Sequence, residues 1–349
     1  MIGYVLFFFM ISLIDILKTS LAKKYLLAFW LISLFSGLRY GIGFDYFTYY
    51  ENMMDPNYNP EIIPSCFLFL GREIHYSIFY LASSLFTNFF FLRGMYLRNC
   101  PFSALYFYIG YPLFFYNSLS IIRQFMAISV IFYLICLDKP KVVVKIALIV
   151  IAFFCHRSSV VSLFLLLPIP KNVGQKSLFI LFALSLLVGE MLVGFVISMS
   201  SDFFLLADLI RYLSTEMAGG NMMKWLVYVT ITVIAFKYNS LIKYGIDRRY
   251  IIYSIFGGCL FALFSLNANV GQRFCAFYLS SILIYITSLC VVYKIPGWAY
   301  KIICVAMFAS VIYISHITSL SEISNSDKYK INGQSLYYPY EMIFWNSPE

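Results

Sequence analysis

The sequence predicts an all-α polytopic integral membrane protein of about 10–12 transmembrane helices, on three observations. Of 349 residues, 62% are hydrophobic and only 12% charged, with a mean hydropathy of +0.82; no single water-soluble core could hide that much apolar surface. Apolar runs of helical length recur from one end of the chain to the other. Basic residues gather in alternate connections between those runs, as they do where loops face the cytoplasm.

Taken in order, runs able to cross a bilayer lie near residues 2–17, 25–38, 74–92, 101–119, 121–137, 142–155 and 158–169, then 177–198, 224–242, 250–268, 274–293 and 301–320. The connections after every odd-numbered run hold most of the 25 Lys and Arg residues, among them Lys18, Lys23, Lys24, Arg93, Arg98, Lys139, Lys171, Arg248, Arg249 and Lys294. Those connections are therefore expected in the cytoplasm and both termini outside. Runs 142–155 and 158–169 are short for full spans, which need roughly 20 apolar residues, and read as a broken or re-entrant pair. Removing the pair leaves every other loop on its side, so only the count depends on it.

A single transmembrane domain is expected over residues 1–320, with long outer loops at 39–73 and 199–223. A polar, tyrosine-rich tail over 321–349 is expected to dock back on the outer face. Within the first outer loop, Met53 to Pro60 reads as a turn. The apolar piece from Ile62 to Leu70 is suited to lie along the membrane surface.

Composition and spacing also exclude several functions. The formal net charge of +9 is accounted for by the cytoplasmic loops, and no basic run is long enough for a nucleic-acid arm, so no nucleic-acid partner is expected. Gly41 and Gly43 lack the third glycine and the strand of a dinucleotide site, and no phosphate-binding loop for ATP is present. The eight cysteines are scattered without a CxxC and read as small buried hydrophobes. Three histidines far apart, with no carboxylates at ligand spacing, make no metal site; His75 and His316 read as structural. Residues 1–17 lack the basic start of a secretory signal, so the first helix is expected to stay in the protein.

What remains is a set of polar residues at the outer ends of the runs. Arg39-x-Gly41-x-Gly43-x-Asp45 follows the second run, where an ionisable side chain must face water, a cavity or a partner. The glycines let the backbone turn, and Asp45 can then cap the short helix that starts after it. The outer side keeps Arg39, Arg72, Arg123, Arg157, Arg211 and Arg273, whereas the inner side is mostly lysine. Topology needs only positive charge; arginine adds a rigid fork that binds phosphate oxygens bidentately. Snorkelling, or pairing with Asp45, Asp202 or Asp208, would equally explain any one of these arginines. His156 lies beside Arg157 between the two short runs, where a broken helix can line a cavity. The tyrosines around Arg39, Tyr40, Tyr46 and Tyr49, suit sugar binding, because an aromatic face covers the apolar face of a pyranose.

These residues, in this order, resemble a known family. Arg39-x-Gly41-x-Gly43-x-Asp45-x-x-x-Tyr49, Ile122-Arg123-Gln124, Phe154-x-His156-Arg157-Ser158, Arg211-Tyr212 and Gln272-Arg273-Phe274 look like the EpsG-type branch of the Wzy polysaccharide polymerases, over nearly the whole chain. The resemblance implies a GT-C-like multi-helix bundle that joins lipid-linked oligosaccharide repeat units on the outer face of the bacterial inner membrane, making O-antigen, capsule or exopolysaccharide. It implies an undecaprenyl-type polyprenyl diphosphate oligosaccharide as both donor and acceptor, and a chain-length regulator protein as partner. The activated sugar arrives on its lipid, so no nucleotide sugar, metal or other cofactor is expected.

Diphosphate is already a good leaving group, so such an enzyme must stabilise developing charge, which arginines do. An inverting displacement also needs a base beside the acceptor hydroxyl. On this reading Arg39, Arg123, Arg157, Arg211 and Arg273 hold the diphosphates. His156 is the base, with Asp45 as its rival or orienting partner, and Tyr40, Tyr46 and Tyr49 face the sugar. A ligase that transfers finished glycan to lipid A core would use the same lipid and a similar outer site. A flippase of the same lipid would instead need charge exposed to both sides in turn and, usually, repeat symmetry, which this sequence lacks.

Overall fold

The computed structural model describes residues 2–43, 45–58, 60–169, 173–198, 220–264, 268–323 and 341–342. They form helices in chain order: α1 (Ile2–Ile16), α2 (Leu21–Gly37), α3 (Tyr46–Met54), α4 (Ile62–Glu73), α5 (Ser77–Leu97), α6 (Ala104–Gly110), α7 (Phe115–Ser118), α8 (Ile122–Cys136) and α9 (Val142–Cys155), then a 3-10 helix, Arg157–Leu166. There follow α10 (Gln175–Ser198), α11 (Gly220–Phe236), α12 (Tyr238–Lys243), α13 (Arg248–Leu263), α14 (Ala268–Leu279), a 3-10 turn (Ser280–Ile284), α15 (Ile286–Val292) and α16 (Gly297–Ile323). Two compact units result: Met1–Val160 with Gly297–Glu349, and Val161–Pro296.

Three of the expected spans are broken; one of them, 224–242, divides at Lys237 into α11 and α12. The run 101–119 becomes α6 and α7, because Pro112 disfavours helical backbone at the residue before it; Tyr111 is extended at φ −78°, ψ 119°. Every residue of α6 is buried, so this irregular backbone is enclosed by protein, as lipid requires. The run 274–293 bends by 62° between Val270–Ile284 and Ile286–Val292. At that break the hydroxyls of Ser280 and Ser281 donate to the carbonyls of Phe277 and Tyr278, three residues back, at 3.2 and 2.7 Å, competing with the regular helical bonds. By length and composition Ser77–Leu97 and Gly297–Ile314 can each cross a membrane alone, and the bent pair would make a third span. Others, among them Ile122–Cys136 and Val142–Cys155, are apolar but shorter.

In the first unit α2, α5 and α8 pack side by side. A polar seam runs along α5 and reaches α2 and α6: Ser84 Oγ donates to Ser33 O of α2 at 3.1 Å, Asn88 Nδ2 to Ser84 O within α5 at 3.0 Å, and the Tyr108 hydroxyl of α6 to Asn88 Oδ1 at 3.0 Å. At the Lys24 end of α2, Asp15 forms a 2.5 Å ion pair with Lys301 and its carbonyl accepts from Lys24, tying α1, α2 and α16 together. At the other end, Arg39–Tyr40 (β1) pairs antiparallel with Glu341–Met342 (β2), Arg39 opposite Met342. The tail thus returns to the Arg39 turn.

In the second unit α13 packs against α10, α11 and α14. Gly257 and Gly258 admit α14 and Ile231: an added Cβ would meet the Leu279 amide at 2.7 Å and Ile231 Cγ1 at 2.3 Å. Ser254 joins Ser281 and the Tyr285 hydroxyl in a buried network at 2.8 Å each.

Candidate active site

The Arg39 motif folds as a brace. Gly41 and Gly43 adopt φ of 64° and 111°, open to glycine at little cost. At Gly43 an added Cβ would lie 2.3 Å from the Leu119 carbonyl oxygen. Arg39 donates to that same carbonyl through Nη2 at 2.8 Å, to Ile42 O through Nε at 2.9 Å, and to Ser36 O through Nη1. Its guanidinium stands 5.3 Å from the ring of Tyr80 and 5.9 Å from that of Tyr46, and those two rings stack at 4.3 Å. Arg39 is only 2% exposed. It fastens the turn to the α7–α8 joint, a few residues before Arg123.

Tyr40, Tyr46 and Tyr49, expected at a sugar, are 6%, 1% and 6% exposed. Their rings pack on Phe47, Tyr80 and Phe79. In this arrangement none presents an open face to a pyranose, a correction to the sequence expectation. Asp45 also departs from expectation: it stands at the N-cap of α3 without a side-chain capping bond. N-cap residues are extended, whereas Asp45 has φ −95°, ψ 7°, a backbone unlike that of a capping residue.

One turn on from Asp45, Tyr49 meets Arg123. Burial pushes the Tyr49 hydroxyl above its ordinary pKa, while the Arg123 guanidinium hydrogen-bonded to it pulls the value down and Asp45 pushes it up. Arg123, in the first turn of α8, donates from Nη1 to Glu61 Oε2 at 2.7 Å. Its side chain is 24% exposed, and its Nε is buried without a hydrogen-bond partner among the described residues.

Sequence reasoning missed Glu61. It occupies the N-cap of α4 yet makes no capping bond there; the carboxylate, 9% exposed, reaches other elements. Its Oε1 accepts the Arg157 amide at 3.2 Å, so one carboxylate bridges the starts of α8 and the 3-10 helix. Burial alone would raise its pKa. Arg123 above all, then His156 and the amides of Glu61 and Arg157, hold it below the ordinary carboxylate value. The available signal was a lone glutamate after Pro60 in a chain with few charges.

His156 is half-buried at the C-terminal end of α9. Its Nδ1 accepts the Ser158 amide at 3.2 Å and lies 2.7 Å from Ser158 Oγ. His75 forms the same turn with Ser77, at 3.3 and 2.7 Å. A ring nitrogen that accepts an amide N–H carries no proton, so neutral His156 holds its proton on Nε2 and is a donor there. Arg157 has its amide bound by Glu61 and its side chain exposed. Four segments far apart in sequence thus converge: Asp45–Tyr49, Glu61, Arg123 and His156–Arg157. Arg273 belongs to α14 of the second unit, and Arg211 lies outside the described residues. Among the described residues no three His, Cys, Asp or Glu side chains gather as metal ligands do.

Chemically the cluster is an anion site with its own anion in place: a guanidinium and a helix-starting amide close on the carboxylate of Glu61, beside a second, exposed arginine. The fold and this site define a helical membrane protein with a cationic seat where several helix ends meet. The sequence matches the EpsG family model over residues 23–342, and the chain belongs to that family. It is therefore a membrane protein of polysaccharide synthesis. No curated protein and no solved structure matches it.

Proposed function

We propose that this protein is a polymerase that joins polyprenyl-diphosphate-linked oligosaccharide repeat units by inverting glycosyl transfer. The reaction runs at the outer face of the bacterial inner membrane, with both termini outside, and needs no metal or nucleotide sugar. The observation that carries the reading is the seat at Glu61, where the Arg123 guanidinium and the Arg157 amide at a helix start both donate to one carboxylate. Arg123 and Arg157 hold the donor diphosphate and stabilise the charge that develops as it leaves. His156 donates Nε2–H toward the same leaving group. Arg39 braces the turn that sets the start of α8. Arg211 and Arg273 are assigned to diphosphate binding on the sequence motifs alone.

The test is an assay with purified protein in detergent, a defined lipid-diphosphate repeat unit and EDTA, resolved by product length. A ladder of products is expected. Arg123→Ala should slow it by about 100-fold or more, the cost of removing one charge-stabilising donor, and should also lower the melting temperature, because Glu61 is left without its partner; Arg157→Ala, at an exposed side chain, should slow it with the melting temperature retained. A single transfer to lipid A core without a ladder would favour a ligase. No product, with the lipid moved across liposomes, would make the cluster a transport vestibule.

A further inference from the structure

We infer that Glu61 is a substrate-gated base: at rest it fills the anion seat between Arg123 and the first amide of the 3-10 helix, and an arriving diphosphate displaces it and frees it to take the acceptor hydroxyl proton. The inference rests on the polymerase reading and deepens it.

Three observations carry it. Both oxygens of Glu61 are held by groups an anionic ligand would use, the Arg123 fork at 2.7 Å and the Arg157 amide at 3.2 Å. A phosphate seated on the two donors that Glu61 now occupies, the Arg123 Nη1–H and the Arg157 amide, would bring a second anion against the carboxylate, so ligand and carboxylate compete for that seat. Secondly, Glu61 holds the N-cap of α4 without capping it; its placement serves the neighbouring elements rather than its own helix. Thirdly, His156 is poorly suited to the base role, since Nδ1 accepts the Ser158 amide and Nε2 keeps the proton.

The groups facing Glu61 set when it can act. Arg123 comes from α8, with Tyr49 and Tyr58 around its guanidinium; Cys155 and His156 come from the end of α9, and Arg157 from the 3-10 helix. Burial raises the proton affinity of Glu61, and Arg123 is the chief group that lowers it. Transfer of Arg123 to a phosphate oxygen removes that restraint while the burial stays. The freed carboxylate then takes the acceptor O–H proton as that oxygen forms its bond to the anomeric carbon. The carbon–oxygen bond to phosphate breaks, its electron pair leaving with the polyprenyl diphosphate. When the diphosphate departs, Arg123 returns and Glu61 releases the proton to water.

The full-length protein in detergent tests this with Glu61→Gln, measuring undecaprenyl diphosphate binding and the single-turnover rate separately. Binding is expected several-fold tighter, because the internal anion is gone, and product formation about 100-fold slower or more. Formate should partly restore the rate of Glu61→Ala, which a purely structural carboxylate would not allow. Weaker binding in step with the rate loss would overturn the inference, leaving Glu61 to position Arg123. Retained rate, with Asp45→Asn inactive instead, would also overturn it. If wild-type protein makes no product, the polymerase reading fails on its own, and the binding comparison still decides whether Glu61 fills the seat. Should Glu61→Gln melt early, Glu61→Asp gives the same comparison: its shorter reach loosens Arg123, so tighter lipid and slower product are expected, and weaker lipid overturns.

Discussion

A methyl group at position 43 has nowhere to go. Gly43 sits at φ 111° with the Leu119 carbonyl 2.3 Å from where a Cβ would lie, so Gly43→Ala should cost about 2 kcal/mol or more in strain alone. The turn must also shift away from α8. The expected outcome is a lower melting temperature together with a slower reaction, since Arg123 starts from the displaced helix; Gly174→Ala, with open space around it, should melt as the wild type does. Arg39→Lys should likewise destabilise, because one ammonium cannot reach the three carbonyls that the guanidinium holds and a buried carbonyl left unmatched costs roughly 1–3 kcal/mol. The sequence told that Arg39, Gly41 and Gly43 belong together, but not that Arg39 faces inward. A guanidinium bound to carbonyls and one bound to phosphate are written with the same letter. Glu61 was illegible for a related reason: its partners are 62 and 96 residues away.

Among elements, the ion pair that links α4 to α8 has a pH signature. Glu61 has its folded pKa held below the ordinary 4.5, so the folded state binds its proton less readily than the unfolded chain does. The stabilisation is complete above about pH 4.5 and is lost as pH falls through the depressed value. Melting curves should therefore show wild type losing its advantage over Glu61→Gln only on the acid side, with a constant difference from pH 6 to 8. The apolar runs located most helices to within a few residues, since runs of this length have few alternatives in a membrane. They failed at α6–α7 and α14–α15, where apolar composition continues across a break. Pro112 marked the first break in the sequence; at the second, Ser280 and Ser281 act through hydroxyl-to-carbonyl bonds that composition does not reveal.

At the scale of the whole molecule, sidedness is the open arrangement with the most direct assay. Cys66 of α4 is exposed, and six of the other seven cysteines are buried. A membrane-impermeant maleimide added to intact spheroplasts should label the protein, and Cys66→Ser should abolish the label. Labelling only after lysis would invert the orientation. The same residues divide cleanly along α2: Lys24 and its Asp15 contact at one end, the Arg39 turn at the other. The polar break at His156–Arg157 was legible in the sequence as an interruption between two short runs, but composition alone did not mark it as the boundary near Val160 between two compact units.

The bond from Arg39 to the Leu119 carbonyl spans 80 residues, and that span sets an order of assembly. Ser36 and Ile42 lie beside Arg39, so two of its carbonyls are present as soon as the second helix leaves the ribosome. The third is not yet made. At about 5–20 residues per second, the newborn guanidinium waits roughly 4–16 s for its last acceptor, with its charge only part-answered at the edge of the bilayer. Whatever inserts this chain must keep the Arg39 turn wet, or shield it, until α7 arrives.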